Sequence, residues 1–150
     1  MADQATERIV IAAPLQRCWD EALDVERYPE WAGDIKQVTV HDRDDEGRAT
    51  RVTFRAAAYG RSTTYTLGYD FSGAPNRLAW ELLEGDVMKR LDGSYEFQAV
   101  DDDPTSTEVV YDLVVEMLIP LPGFVKRRAE SKIMNTALRD LKSRVESSTT

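Results

Sequence analysis

Between Ile35 and Met117 apolar and polar residues alternate with a period of two, and turn-forming residues cut the alternation at short intervals. The runs are Ile35 to His41, Arg48 to Ala58, Ser62 to Phe71, Arg77 to Leu83, Val87 to Ala99 and Thr107 to Met117. They are separated by Asp44-Asp45-Glu46-Gly47, Tyr59-Gly60, Ser72-Gly73-Ala74-Pro75-Asn76, Glu84-Gly85-Asp86 and Asp101-Asp102-Asp103-Pro104. Connections this short join only antiparallel neighbours, so the stretch is a six-strand meander. Thr6 to Ala13, with Ile9, Val10 and Ile11, adds a strand that can pair at an edge, for about seven in all.

Alternation also sets the faces. Val52, Phe54, Ala56 and Ala58 share one parity, as do Tyr65, Leu67, Tyr69 and Phe71, and Leu78, Trp80 and Leu82. So do Leu91, Gly93, Tyr95 and Phe97, and Val109, Tyr111, Leu113, Val115 and Met117. Their alternates, among them Thr64, Thr66, Asp70, Glu81, Glu96, Glu108 and Asp112, are mostly polar. A sheet with one dry, aromatic face needs a cover. Gly68 and Gly93 inside strands mark bends, so the sheet curls.

The cover is at the C-terminus. After Leu121-Pro122-Gly123 no Pro or Gly occurs to the end, and Pro122 to Val145 is a helix with Met134, Ala137, Leu138, Leu141 and Val145 on one stripe. Extending the stripe backwards reaches Glu130 and Arg127. Either the inner face runs from a core into a wet cavity, or the first turns overhang the sheet and both side chains reach water. Between the first strand and the meander, Pro14 opens a helix carrying Leu15, Trp19, Ala22 and Leu23, and Pro29 to Gly33 forms a second short one.

Several function classes are disfavoured. With 19 Lys and Arg against 27 Asp and Glu, the net charge of -8 repels phosphate backbones, so no nucleic-acid partner is expected. Lys126, Arg127 and Arg128 are a local exception, read as a solvated helix end or an anion or membrane contact. A single cysteine, Cys18, and a single histidine, His41, leave no disulfide, no multi-Cys zinc site and no two-His metal site. Cys18 reads as a buried structural thiol and His41 as an exposed strand-end residue. No apolar run is long enough to span a bilayer, and Met1 to Thr6 has no signal-peptide core, which predicts a cytoplasmic protein. The length of 150 residues fits one domain, with 1–5 and 147–150 as flexible tails.

The layout, the opening Ile9-Val10-Ile11-Ala12-Ala13-Pro14 with Cys18-Trp19, the stretch Asp24 to Trp31, Trp80-Glu81, Gly93-Ser94-Tyr95-Glu96-Phe97 and the terminal helix resemble the START-like superfamily. The resemblance is to its polyketide cyclase/dehydrase and lipid-transport branch. It implies an α+β helix-grip fold, a curved antiparallel sheet wrapped around the long helix, with an apolar cavity between them. It also implies a hydrophobic ligand such as a lipid, quinone or polyketide; neither a cofactor nor a metal is expected.

On that reading the ligand-binding candidates are Phe54, Tyr65, Leu67, Tyr69, Trp80, Tyr95, Tyr111, Arg127, Glu130 and Met134. The same aromatics would serve equally as packed core. The first reading is binding or transport. The second is a cyclase, aromatase or dehydratase, with Glu130 as base and Tyr65, Tyr69 or Tyr111 as donor to an enolate. A third is an interaction module, in which Leu118 to Phe124 and the following cations touch a protein or, transiently, a membrane; the alternative is a packed loop. No feature fixes an oligomeric state.

Overall fold

The computed structural model of the chain describes residues 5–58, 61–101, 103–118 and 122–147. Strand β1 (Ala5–Ile11) leads into helix α1 (Leu15–Leu23), a single 3-10 turn (Val25–Arg27) and the short helix α2 (Tyr28–Trp31). The meander follows as β2 (Ile35–Arg43), β3 (Ala49–Ala58), β4 (Arg61–Asp70), β5 (Arg77–Gly85), β6 (Met88–Val100) and β7 (Asp103–Met117). Helix α3 (Gly123–Ser147) ends the described chain. The strands form one antiparallel, curved sheet in the order β1-β7-β6-β5-β4-β3-β2, the expected meander with β1 added beside β7.

Turn chemistry fixes the hairpins. Between β2 and β3, Gly47 adopts φ 80°, its N–H donating to the Asp44 carbonyl at 2.9 Å. The Asp44 carboxylate accepts from the N–H groups of Glu46 and Arg48 at 3.0 and 2.9 Å. The β6–β7 connection is tighter than the acidic run suggests. Asp101 takes a positive φ of 46°, Val100 already pairs with Asp103, and β7 therefore starts four residues before the expected Thr107. At the other end of β1, the Ala13 N–H turns back to the Ile11 carbonyl at 2.9 Å, ending the strand two residues earlier than expected. Helix α2 runs from Tyr28 to Trp31 rather than from Pro29 to Gly33, closed by Ala32 N–H donating to the Tyr28 carbonyl at 2.7 Å.

The main core lies where α3 and α1 meet β1, β6 and β7. Ile11, Cys18, Trp19, Phe97, Val109, Leu113, Leu138, Leu141 and Val145 are buried there. Burying each large aliphatic side chain contributes about 1.5 to 3 kcal/mol. Thr107, fully buried, places its hydroxyl on the Ala13 carbonyl at 2.8 Å, so no polar atom of that side chain is left unmet. Arg144 of α3 reaches Glu21 of α1 at 2.9 Å and Glu30 of α2 at 3.2 Å, and ties the three helices together.

Both strand glycines lie at irregularities, for different reasons. Beside Gly68 the β4–β5 register slips between Thr66 and Leu67, a bulge of the expected kind. At Gly93 the cause is close approach: a Cβ there would meet the Asp112 carbonyl oxygen at 2.6 Å and Trp80 Cζ2 at 2.7 Å. Past the Trp80–Gly93 pair β5 and β6 no longer pair, and the Leu82 N–H donates instead to the Asp92 carboxylate at 2.9 Å.

Ala5 pairs with Leu113 and Ser147 closes α3, so structure extends into both expected tails; 1–4 and 148–150 lie outside the described residues. The expected turn at Tyr59-Gly60, residue Asp102, and Ile119 to Leu121 of the apolar approach to α3 also lie outside them. The flanking Leu118 and Phe124 are exposed.

Candidate ligand cavity

Where the sheet curls away from α3 a cavity of about 210 Å³ remains. An apolar void of roughly 150 Å³ already suffices to hold a benzene-sized molecule, so this space is larger than a packing defect. Its walls are mostly apolar: Phe54, Leu67, Leu91, Val115 and Ile133 alternate with tyrosines and with Trp31 and Trp80.

Helix α3 turns two different faces inward. At 100° per residue, Met134, Leu138 and Val145 occupy a sector about 40° wide that packs, Lys126, Glu130, Ile133, Ala137 and Asp140 occupy one centred about 100° away, and buried Leu141 stands between them and touches the cavity as well. The second sector, flanked by Ala129 and Thr136, fronts the cavity. A single stripe drawn through the helix therefore merges two surfaces.

Of the residues selected from sequence, Phe54, Tyr65, Leu67, Tyr69, Trp80, Tyr95, Tyr111 and Glu130 line this one cavity. Met134 does not; it is 0% exposed and belongs to the packed core. Arg127 does not either. It falls in the packing sector, but this close to the start of the helix that sector is open to water, and the side chain is exposed. Overhang thus holds for Arg127, and a buried position for Glu130, which is 5% exposed.

The aromatic rings form two separate groups. Trp31, Tyr28, Phe54 and Tyr65 follow one another with ring centroids 5.0, 6.1 and 5.5 Å apart. Tyr69, Trp80, Tyr95 and Tyr111 make the other, with Tyr95 and Tyr111 only 4.6 Å apart. The second group runs on through Phe97 to Trp19 in the core, which explains why shared parity alone does not separate wall from filling.

Burial decides the chemistry of the phenols. Desolvation, then neighbouring tyrosines or carboxylates, raises Tyr28, Tyr65, Tyr69, Tyr95 and Tyr111 above the ordinary value of 10.0. All five remain protonated near neutrality, as donors and not bases. Tyr28 donates to the Ala22 carbonyl and Tyr111 donates to Tyr95. Among the described residues, the hydroxyls of Tyr65 and Tyr69 make no hydrogen bond to protein. Thr63, also in the wall, donates to Asp86 at 2.6 Å, which with the Thr64 N–H lowers the Asp86 carboxyl. The carboxylate of Glu130 is the one buried acid of the lining among the described residues, and its Oε2 is screened from water.

Tyr28, Trp31, Asp34, Thr63, Ile133, Thr136 and Asp140 were not singled out from sequence, yet all line the cavity. Asp140 accepts from the Gly33 N–H at 3.2 Å, joining α3 to the turn after α2 along this wall. The only sequence signal for Tyr28 and Trp31 is the Tyr-Pro-Glu-Trp stretch, since a four-residue helix has no period to read.

The single histidine and cysteine stand outside the cavity lining. His41 is exposed, its Nε2 2.7 Å from Thr53 Oγ1, and Cys18 is buried, with burial raising its thiol. No group of three or more His, Cys, Asp or Glu is placed to hold a metal ion among the described residues. No helix of the described residues is long and apolar enough to cross a membrane.

A curved seven-stranded sheet gripping a long C-terminal helix over an apolar cavity defines the START-like helix-grip class. A family model described as polyketide cyclase/dehydrase and lipid transport matches residues 11–142, and the chain belongs to that family. Among solved structures, a START superfamily protein from Mycobacterium smegmatis superimposes with a TM-score of 0.91 at 23% identity, covering 97% of this chain and 99% of that one. The Zhui aromatase/cyclase from Streptomyces sp. R1128 gives 0.83 at 15% identity, over 97% and 94%. A protein from Thermus thermophilus gives 0.81 at 23%, over 99% and 100%. No curated protein sequence matches the chain significantly.

Proposed function

We propose that the protein binds or carries a hydrophobic small molecule of one to a few rings, lipid-, quinone- or polyketide-like, between the sheet and α3. The observation that carries this reading is the cavity itself, an apolar space of about 210 Å³ with two groups of ring faces on its walls. Flat faces accept planar ligands, and sparse hydroxyl and indole donors orient them. The neutral fluorophore N-phenyl-1-naphthylamine tests it: saturable emission enhancement is expected, together with its loss in Ala137→Trp, which fills the space. Absence of saturable binding, or binding unchanged in Ala137→Trp, refutes the reading. Native mass spectrometry of the purified protein then identifies any retained molecule.

Buried Glu130 supports a second reading, aldol cyclisation of a poly-ketone. Glu130 removes a proton from carbon beside one carbonyl, and Tyr65 or Tyr69 donates to the enolate oxygen that develops. The enolate carbon then attacks a second carbonyl, and Glu130 returns its proton to the resulting alkoxide. Tyr111 is less suited as donor, because its hydroxyl is already committed to Tyr95. An unchanged cyclisation rate in Glu130→Gln, on any poly-ketone the wild type closes, rules the base out.

A further inference from the structure

Tyr65, Tyr69 and Tyr95 of the lining are half-buried by accessible surface, yet desolvation raises all three hydroxyls. The surface they keep therefore faces the cavity. Among the described residues the hydroxyls of Tyr65 and Tyr69 have no protein partner, and neither oxygen is sealed from a water-sized molecule as Trp31 Nε1 is. Tyr95 accepts from Tyr111 and keeps its own proton, and a hydroxyl that accepts is the stronger donor for it.

These phenols stand at different depths. The exposed residues of the lining are Asp34, Ala57 and Ile133, and they mark the opening. The Ala57 N–H donates to the Asp34 carbonyl at 2.8 Å, and the neighbouring Ala56 pairs with Thr63, which puts Tyr65 just inside the opening. Tyr69 lies about 13 Å further along β4 at the usual rise of a strand. There it pairs with Trp80, whose ring stands 5.0 Å from Tyr95 and 5.7 Å from Tyr111, at the end of the cavity that runs on into the core. Leu67, Leu91 and Val115 fill the lining around this row. The strands that carry the row add no charged group to the lining; its charges are Asp34, Lys126, Glu130 and Asp140.

From this arrangement we infer that the cavity selects a neutral amphiphile seated with its oxygen-bearing end inward, hydrogen-bonded to Tyr69 and Tyr95, and its apolar end toward the opening. The inference rests on the binding reading above and narrows its ligand. A phenol donates or accepts, so Tyr69 meets a hydroxyl or a carbonyl alike, and the inner row selects oxygen against hydrocarbon rather than one oxygen function over another. A carboxylate at this end would lose its water in a lining that holds three carboxylates and one ammonium, which is unfavourable.

The test uses 4-butylphenol, butylbenzene and 4-butylbenzoate, which share a ring and a chain and differ at one end. Each displaces N-phenyl-1-naphthylamine from wild type, Tyr69→Phe, Tyr95→Phe and Tyr65→Phe, with circular dichroism melts to establish folding. Wild type is expected to favour the phenol over the hydrocarbon, and over the benzoate by roughly 10-fold or more at neutral pH. The preference for phenol over hydrocarbon is expected to fall roughly 3- to 10-fold in Tyr69→Phe and in Tyr95→Phe, the value of one hydrogen bond. A purely packing role would weaken both ligands alike, and a ratio unchanged in both variants overturns the inference. So does a larger fall in Tyr65→Phe, which would put the oxygen at the outer end, and so does a benzoate that binds as tightly as the phenol. Probes that fail to displace a bound fluorophore overturn it while the binding reading stands; absence of fluorophore binding refutes that reading itself.

Discussion

Substituting Gly93 by alanine tests the close approach of backbone and ring behind Trp80, which itself lines the cavity. The added Cβ would stand 2.6 Å from the Asp112 carbonyl oxygen and 2.7 Å from Trp80 Cζ2. Asp112 belongs to β7, held to β6 along the whole ladder, so its carbonyl cannot retreat without opening the sheet. The Trp80 ring can retreat only toward Tyr95 and Tyr111, whose centroids already lie 5.0 and 5.7 Å from it, or into the cavity. Overpacking of this kind costs about 1 to 3 kcal/mol, and the backbone clash places Gly93→Ala at the upper end. Replacing Gly by Ala regains about 0.4 to 1 kcal/mol from the unfolded state, leaving a net loss near 2 kcal/mol. For 150 residues that lowers the midpoint of thermal unfolding by roughly 4 to 8 °C. Urea unfolding with matched m-values provides the free energy, and fluorophore titration follows the space Trp80 takes up. Adding Trp80→Phe should recover only part of the loss, since the carbonyl clash persists. A stability loss under about 0.5 kcal/mol, with binding unchanged, would refute the argument that close approach is why glycine stands here.

Leu138→Ala, at a site 1% exposed and off the cavity, should cost about 2 to 5 kcal/mol in urea unfolding and leave fluorophore affinity within twofold. Ile133→Ala, in the cavity sector and 36% exposed, should do the reverse, costing under about 1 kcal/mol while weakening binding. Spectrophotometric titration at 295 nm should show the five wall tyrosines ionising together with unfolding rather than singly near 10.0. The sign follows from their raised values: the stability they contribute is complete below the unfolded value and declines as pH rises past it. Asp86 works oppositely. Its hydrogen bonds from Thr63 and Thr64 lower it below 3.8, so its contribution is present above that pH and is lost as pH falls through the folded value. Acid unfolding of Asp86→Asn should therefore be shallower than wild type below about pH 4.

The meander was readable because period-two alternation and turn residues report the same boundaries independently, as at Asp44 to Gly47, where glycine takes the positive φ the turn requires. Boundaries drifted where side chains or φ extended pairing beyond the pattern, as at Asp101 and Asp103. Within the site, period two placed Phe54, Tyr65, Tyr69, Trp80, Tyr95 and Tyr111 on the correct face. It could not separate them from Phe97, which shares their parity yet is filled over. Helical period likewise gave direction without depth, so Arg127 and Met134 were drawn into a lining that excludes both. Trp31 and Tyr28 escaped because α2 is shorter than two helical turns.

Because α3 divides its inward surface between folding and enclosure, the two tasks can change on separate schedules. Replacements at Ala129, Ile133, Thr136 or Ala137 reshape the chamber while Leu138 and Val145 continue to anchor the helix. A lineage built on this frame is free to explore new small molecules without first accumulating a reserve of stability. The molecule is in that sense a permanent chassis with an exchangeable lining.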